Sequence, residues 1–196
     1  MDGNIKKTKN NRPGKRLIPN KKERKRVLIT LFGSLLLLII SYSLIPVILQ
    51  YYSLHTDAFI SFHQYIGSVA RIGFFFSVAI YPVYLLLKYR DFMDISFKGF
   101  HIKSVFRFLA KVARQWHVPV ALISIGIILI HAYLAIINGI KLNGGYISGF
   151  IALGLLAILS ISGICRYKKT GKIWHLTLGL LFVTAFIIHT LFSPSA

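Results

Sequence analysis

Five predominantly apolar stretches, at residues 27–50, 62–87, 116–138, 146–164 and 173–192, dominate this chain of 196 residues. Each is long enough to cross the hydrocarbon core of a bilayer as a helix, which takes roughly 20 apolar residues. In that medium only a helix or a closed barrel satisfies every backbone polar group, and continuous rather than alternating apolar runs select the helix. The sequence therefore predicts an all-α integral membrane bundle of five transmembrane helices. The first run follows a basic stretch, as the core of a secretory signal would. It is too long for such a core and no small-x-small cleavage site follows, so it reads as an uncleaved anchor.

Composition enters through a conflict. The chain holds 24 Lys and Arg against 5 Asp and Glu, a formal charge of +19, yet 55% of its residues are hydrophobic. A basic nucleic-acid-binding domain would not carry so many apolar runs, and a disordered basic tail would not be so apolar, so nucleic acid is excluded as a partner. Position resolves the conflict. Eleven basic residues precede residue 27, seven lie between Lys88 and Arg114, and four between Arg166 and Lys172. The alternate loops hold only Lys141, and Arg71 falls inside a span. The positive-inside rule then puts the N-terminus in the cytoplasm and the C-terminus outside, in a multi-pass protein of the plasma membrane.

The expected organisation follows. Residues 1–26 form a disordered, lysine-rich cytoplasmic arm that sets topology and touches anionic lipid, with docking of an acidic cytoplasmic partner as the alternative. Residues 27–192 form the membrane domain, and 193–196 a short external tail. Within the domain, about 88–115 is a cytoplasmic interfacial segment. Its Phe100–Gln115 part mixes Phe106, Phe108, Leu109 and Val112 with Lys103, Arg107, Lys111 and Arg114. That mixture reads as a basic amphipathic helix lying along the inner interface and leading into the third span.

The third and fifth spans share a pattern. Trp116-His117 is followed by His131, and Trp174-His175 by His189, and both His–His separations are 14 residues. Fourteen residues rise roughly 21 Å along a helix and turn to within about 40° of four full turns. Each helix thus presents two imidazoles on nearly one face, one towards each side of a bilayer. Both spans run in the same direction, so His117 shares the inner depth with His175, and His131 the outer depth with His189. Zinc asks for four ligands, and all five acids (Asp2, Glu23, Asp57, Asp91, Asp94) fall outside the runs. Haem iron already has four porphyrin nitrogens and asks only for two axial ligands. Cys165 is the only cysteine, which excludes a disulfide and a covalent Cys-x-x-Cys-His attachment. The expectation is therefore two non-covalent b-type haems, one per layer, with Gly126 and Gly179 admitting the ring or a neighbouring helix.

Arg71, the only charge inside a run, is expected between the haems, paired with a propionate. The two tryptophans read as interfacial anchors. His55 and His63 flank the outer end of the second span and are expected to be interfacial loop residues, although they could border an acceptor site. His101 is expected to be solvated.

At these residues the chain resembles the ferric reductase-like transmembrane domain family, which includes NADPH oxidases, eukaryotic ferric reductases and the haem subunit of the bacterial methionine sulfoxide reductase system. The four histidines and their helix order carry the resemblance, with Arg71 in Gly67-Ser-Val-Ala-Arg71 matching an arginine of the family's second helix. It implies a dihaem cytochrome that passes electrons from a cytoplasmic donor to an outer acceptor, as the membrane subunit of an oxidoreductase. The chain departs from the family in lacking a sixth helix and a flavin and nicotinamide domain, and it has no Gly-x-Gly-x-x-Gly fingerprint after a strand. The expected donor is thus a cytoplasmic flavoprotein reductase or a quinol. The expected acceptor is a ferric chelate, a flavin protein, a quinone or dioxygen. Two rivals stay open: a quinone-linked respiratory cytochrome b, and a transporter moving protons or metal along the histidines. The orientation is testable by fusing alkaline phosphatase, which is active only outside the cytoplasm. A C-terminal fusion should be active and a fusion in the Lys168–Lys169 loop inactive; the reverse would overturn the orientation.

Overall fold

The computed structural model describes residues 18, 20–51, 57–88, 96–97, 100–167 and 171–193. It contains five helices long and apolar enough to cross a membrane, as the apolar runs require. Most of the 1–26 arm, His55 and the last three residues lie outside the described residues.

The first span is α1 (Lys21–Tyr51), started by Asn20, whose side-chain oxygen accepts from the Lys22 and Glu23 amides at 3.0 and 3.3 Å. The second is built from α2 (Asp57–Val78) and α3 (Ile80–Lys88) with a turn at Ala79 between them. Pro82 accounts for the turn: it has no amide for the Val78 carbonyl and its ring crowds that turn. A two-residue antiparallel ladder, β1 (Ser96–Phe97) with β2 (Phe100–His101), leads into α4.

The third span is α4 (Ile102–Ile137), 36 residues without interruption. At about 1.5 Å per residue it is roughly 54 Å long, well beyond a hydrocarbon core of about 30 Å. Residues 102–115 are continuous with the third span, forming the first turns of the same helix. No glycine or turn residue separates the two, and Pro119 lies within the helix without ending it. Gly139, at φ 90°, stops α4 just after its end. Then α5 (Gly144–Tyr167), capped by Asn143 to the Tyr146 amide at 3.0 Å, and α6 (Lys172–Phe192) form a hairpin.

α4 is the hub, packing against α1, α2 and α3, while α5 packs against α6. The two groups meet in an apolar core of Ala70, Phe74, Leu156, Phe182 and Phe186, flanked by Ile125, Ile128, Leu159 and Val183. A second cluster, around Ile45, Ile130 and Leu134, joins α1 to α2 and α4. Large apolar side chains such as Ile39, Ile72 and Leu191 point outward, as lipid-facing residues do. At the α1–α4 crossing the Ser34 hydroxyl donates to the Leu122 carbonyl at 3.1 Å, and a Cβ on Gly126 would collide with Ser34 Oγ. Gly126 therefore serves the approach of α1 and not that of a cofactor ring, and Gly179 meets only Leu159 at 4.0 Å. A Gly126→Leu substitution should destabilise the solubilised protein by about 1–3 kcal/mol through overpacking. Gly33→Ala, on a face with nothing within 4 Å, should leave thermal unfolding unchanged.

Candidate functional site

The four histidines of α4 and α6 occupy two layers. His117 and His175 have ring centroids 6.5 Å apart with planes at 85°. His131 and His189 lie within electrostatic reach of each other, at the opposite end of the core. Between the layers stands an aromatic group: Phe74 meets Phe182 and Phe186 edge-on at 5.2 and 5.8 Å, and Phe182 stacks on Phe186 at 5.8 Å.

Each imidazole is held through Nδ1 by the helix beside it. His117 Nδ1 lies 3.0 Å from the Ser77 carbonyl, one residue before the last of α2. His131 Nδ1 lies 3.1 Å from the His63 carbonyl. On the other hairpin, His189 Nδ1 is 3.0 Å from the Gly145 carbonyl, and His175 Nδ1 is 2.9 Å from Ser162 Oγ, which itself donates to the Leu159 carbonyl at 2.7 Å. A carbonyl can only accept, and a hydroxyl whose proton is already committed can only accept from the ring. All four rings are thus Nδ1–H tautomers, and the lone pair of each sits on Nε2. This is how ligating histidines are normally prepared: one ring N–H fixed to an acceptor, the other nitrogen free for metal.

The two supporting helices follow the spacing of the histidines. His63 and Ser77 are 14 residues apart, and so are Ser148 and Ser162, because each runs antiparallel to its histidine helix. The repeat is visible in the sequence, where Ile-Ser-Gly occurs at 147–149 and again at 161–163. Glycines make room for the rings. A Cβ on Gly67 would lie 2.8 Å from His131 Cε1, and one on Gly149 would lie 3.0 Å from His189 Cε1. Gly163 faces His175 at 3.5 Å. These are the glycines of the site.

Each layer also has one arginine. Arg71 lies within electrostatic reach of His131 and His189. Arg166 at the end of α5 acts on His117 and His175 and was not anticipated. No acid lies within 13 residues of Arg71 in the chain, so the span offers it no neighbouring counter-charge.

His63 departs from expectation. It lies inside α2 and not in a loop, and its ring stacks on His131 at 4.2 Å with planes 4° apart. Among the described residues its Nε2 is buried without a hydrogen-bond partner. That nitrogen is a polar group of the His131–His189 layer that the described residues leave unsatisfied. Trp116 is partly exposed and carries the Arg26 guanidinium 5.6 Å over its ring, tying α1 to α4, while Trp174 is exposed. Among the described residues no group of three or more His, Cys, Asp or Glu could hold a metal ion. The site thus offers paired imidazoles and no four-ligand cage.

The fold and site define a five-span helical membrane protein with two layers of paired, Nδ1-anchored histidines. Comparison of the chain with family models, curated proteins and solved structures returns no match. An apolar replacement tests the orphaned nitrogen. His63→Phe keeps a flat ring beside His131 and removes a buried group whose desolvation costs about 1–3 kcal/mol. The cofactor-free protein should melt no lower than the unsubstituted chain, and a clear loss of stability would mean that Nε2 has a partner.

Proposed function

We propose that this chain is the membrane subunit of an oxidoreductase, a b-type dihaem cytochrome of ferric reductase-like character that carries electrons across the plasma membrane. His117 and His175 would ligate one haem, and His131 and His189 the other. The observation that carries this reading is the common preparation of the four rings, with Nδ1 engaged by a neighbouring helix and the lone pair on Nε2. Spacing supports it. Two imidazoles sharing one metal through bonds of about 2.0–2.1 Å would have ring centroids roughly 6.5 Å apart. The His117–His175 centroids are 6.5 Å apart.

When bound, haem accepts and releases one electron at a time, and two of them stacked across a bilayer connect its faces. The chain's own groups would do the rest. His117 and His175 would hold one haem and His131 and His189 the other, each histidine offering its Nε2 lone pair. The core of Phe74, Phe182 and Phe186 keeps water out of the space between layers. His63 Nε2 and Arg71 are available to the carboxylates of the outer group, and Arg166 to those of the inner one. The charge asymmetry supports a cytoplasmic N-terminus, which puts His117 and His175 nearest the donor. That donor would be a flavoprotein reductase or a quinol. The outer acceptor would be a ferric chelate, a flavin protein, a quinone or dioxygen.

Haem analysis of the purified chain tests this. Two low-spin haems per chain are expected, with His117→Ala and His131→Ala each losing a different one. A single haem, or the same loss from both variants, would overturn the two-layer assignment. Absence of haem after expression with ample haem supply would favour the proton or metal transporter.

A further inference from the structure

Three of the four histidines lean on backbone carbonyls, which no substitution removes; His175 leans on a side chain. Its Nδ1 meets Ser162 Oγ at 2.9 Å, and that hydroxyl passes its own proton to the Leu159 carbonyl at 2.7 Å. The Leu159 carbonyl is also a hydrogen-bond partner of the His175 ring, so Ser162 stands between the two, accepting from the ring at 2.9 Å and donating to that carbonyl at 2.7 Å. A hydroxyl polarised by its own donation is a better acceptor, so the two bonds reinforce each other.

The same tripeptide on the same helix does something else one repeat away. Ser148 donates to the Gly144 carbonyl at 2.6 Å, as Ser162 does to Leu159. Its Oγ, however, lies 3.4 Å from His189 Nδ1, while the Gly145 carbonyl is closer at 3.0 Å. Ser148 is therefore an accessory neighbour of its histidine, and Ser162 is the principal anchor of its own.

We infer that Ser162 is a positioning residue, the group that fixes the tautomer and ring orientation of His175 and thereby the hold on the haem at the His117–His175 layer. The inference rests on the dihaem reading. Outer partners of a ligating histidine orient the ring and raise its basicity, and their loss typically costs about 10–100-fold in affinity for the metal group. A ligand stripped of its Nδ1 acceptor is a poorer donor and stabilises the oxidised iron less. The corresponding haem should then be easier to reduce.

The full-length, haem-loaded chain in detergent supports the test, with Ser162→Ala, Ser162→Thr and Ser148→Ala compared by redox titration, low-temperature electron paramagnetic resonance and haem transfer to an excess of an apo-globin. Ser162→Ala should lose one haem about 10–100 times more readily. The midpoint potential of that haem should move in the positive direction and its low-spin signal should shift. The affected component should be the one that His175→Ala abolishes. The other component should stay unchanged, which also shows that the variant is folded. Ser162→Thr, which keeps the hydroxyl, should restore both haems, and Ser148→Ala should match the unsubstituted chain.

Two intact, unshifted haems in Ser162→Ala would overturn the inference, since the Leu159 carbonyl would then suffice. So would equal effects from the two alanine variants, or a failure of threonine to rescue, because either would make the serines packing elements only. Those outcomes leave the dihaem reading standing. An unsubstituted chain that binds no haem overturns both.

Discussion

A ring N–H buried among membrane helices has no water to fall back on, and the arrangement of this bundle depends on how that demand is met. Each of the four paired histidines sends its Nδ1–H across to the next helix: His117 and His131 to α2, His175 and His189 to α5. An unmade hydrogen bond of this kind costs about 1–3 kcal/mol. The bonds therefore act as pins that set the depth and rotation of α4 against α2 and of α6 against α5. A slide of one helix by a single residue would break both pins of that pair together, because His63 and Ser77 keep the spacing of His131 and His117.

The region between the pins is dry and packed. Ala70 and Phe74 of α2, Ile125 and Ile128 of α4, Leu156 and Leu159 of α5, and Phe182, Val183 and Phe186 of α6 all fall inside the windows bounded by the pins. The molecule is thus layered: polar groups at two depths and aromatic packing between them. The layers are not equivalent. The His131 layer has a third ring in His63, with its buried and unpartnered Nε2, and an arginine deep in a span. The His117 layer has a hydroxyl anchor and an arginine at a helix end.

Much of this was legible from residue order. Apolar length gave the five spans, and the equal separations in Trp116-His117…His131 and Trp174-His175…His189 gave the two histidine faces. The misses have physical causes. The segment before Trp116 was expected to lead into the third span, and because nothing between residues 102 and 137 stops the helix the two are one element. His63 looked peripheral because it sits near the start of an apolar run; the described helix begins earlier, at Asp57, and carries it inside. Gly126 was expected to admit either a ring or a neighbouring helix, and contact with Ser34 shows that it admits the helix α1.

What the sequence determined alone was the number of spans, the charge asymmetry and the phase of the histidines on their own helices. Those properties follow from hydrophobic length and helical period, which are local. Only the tertiary structure decided which nitrogen each imidazole keeps free, which glycines admit the rings, and which histidines lie within electrostatic reach of Arg71 and Arg166. Those depend on which helix lies alongside and at what depth. That is set by pins between residues as far apart as His63 and His131, and no local pattern in either helix specifies its partner.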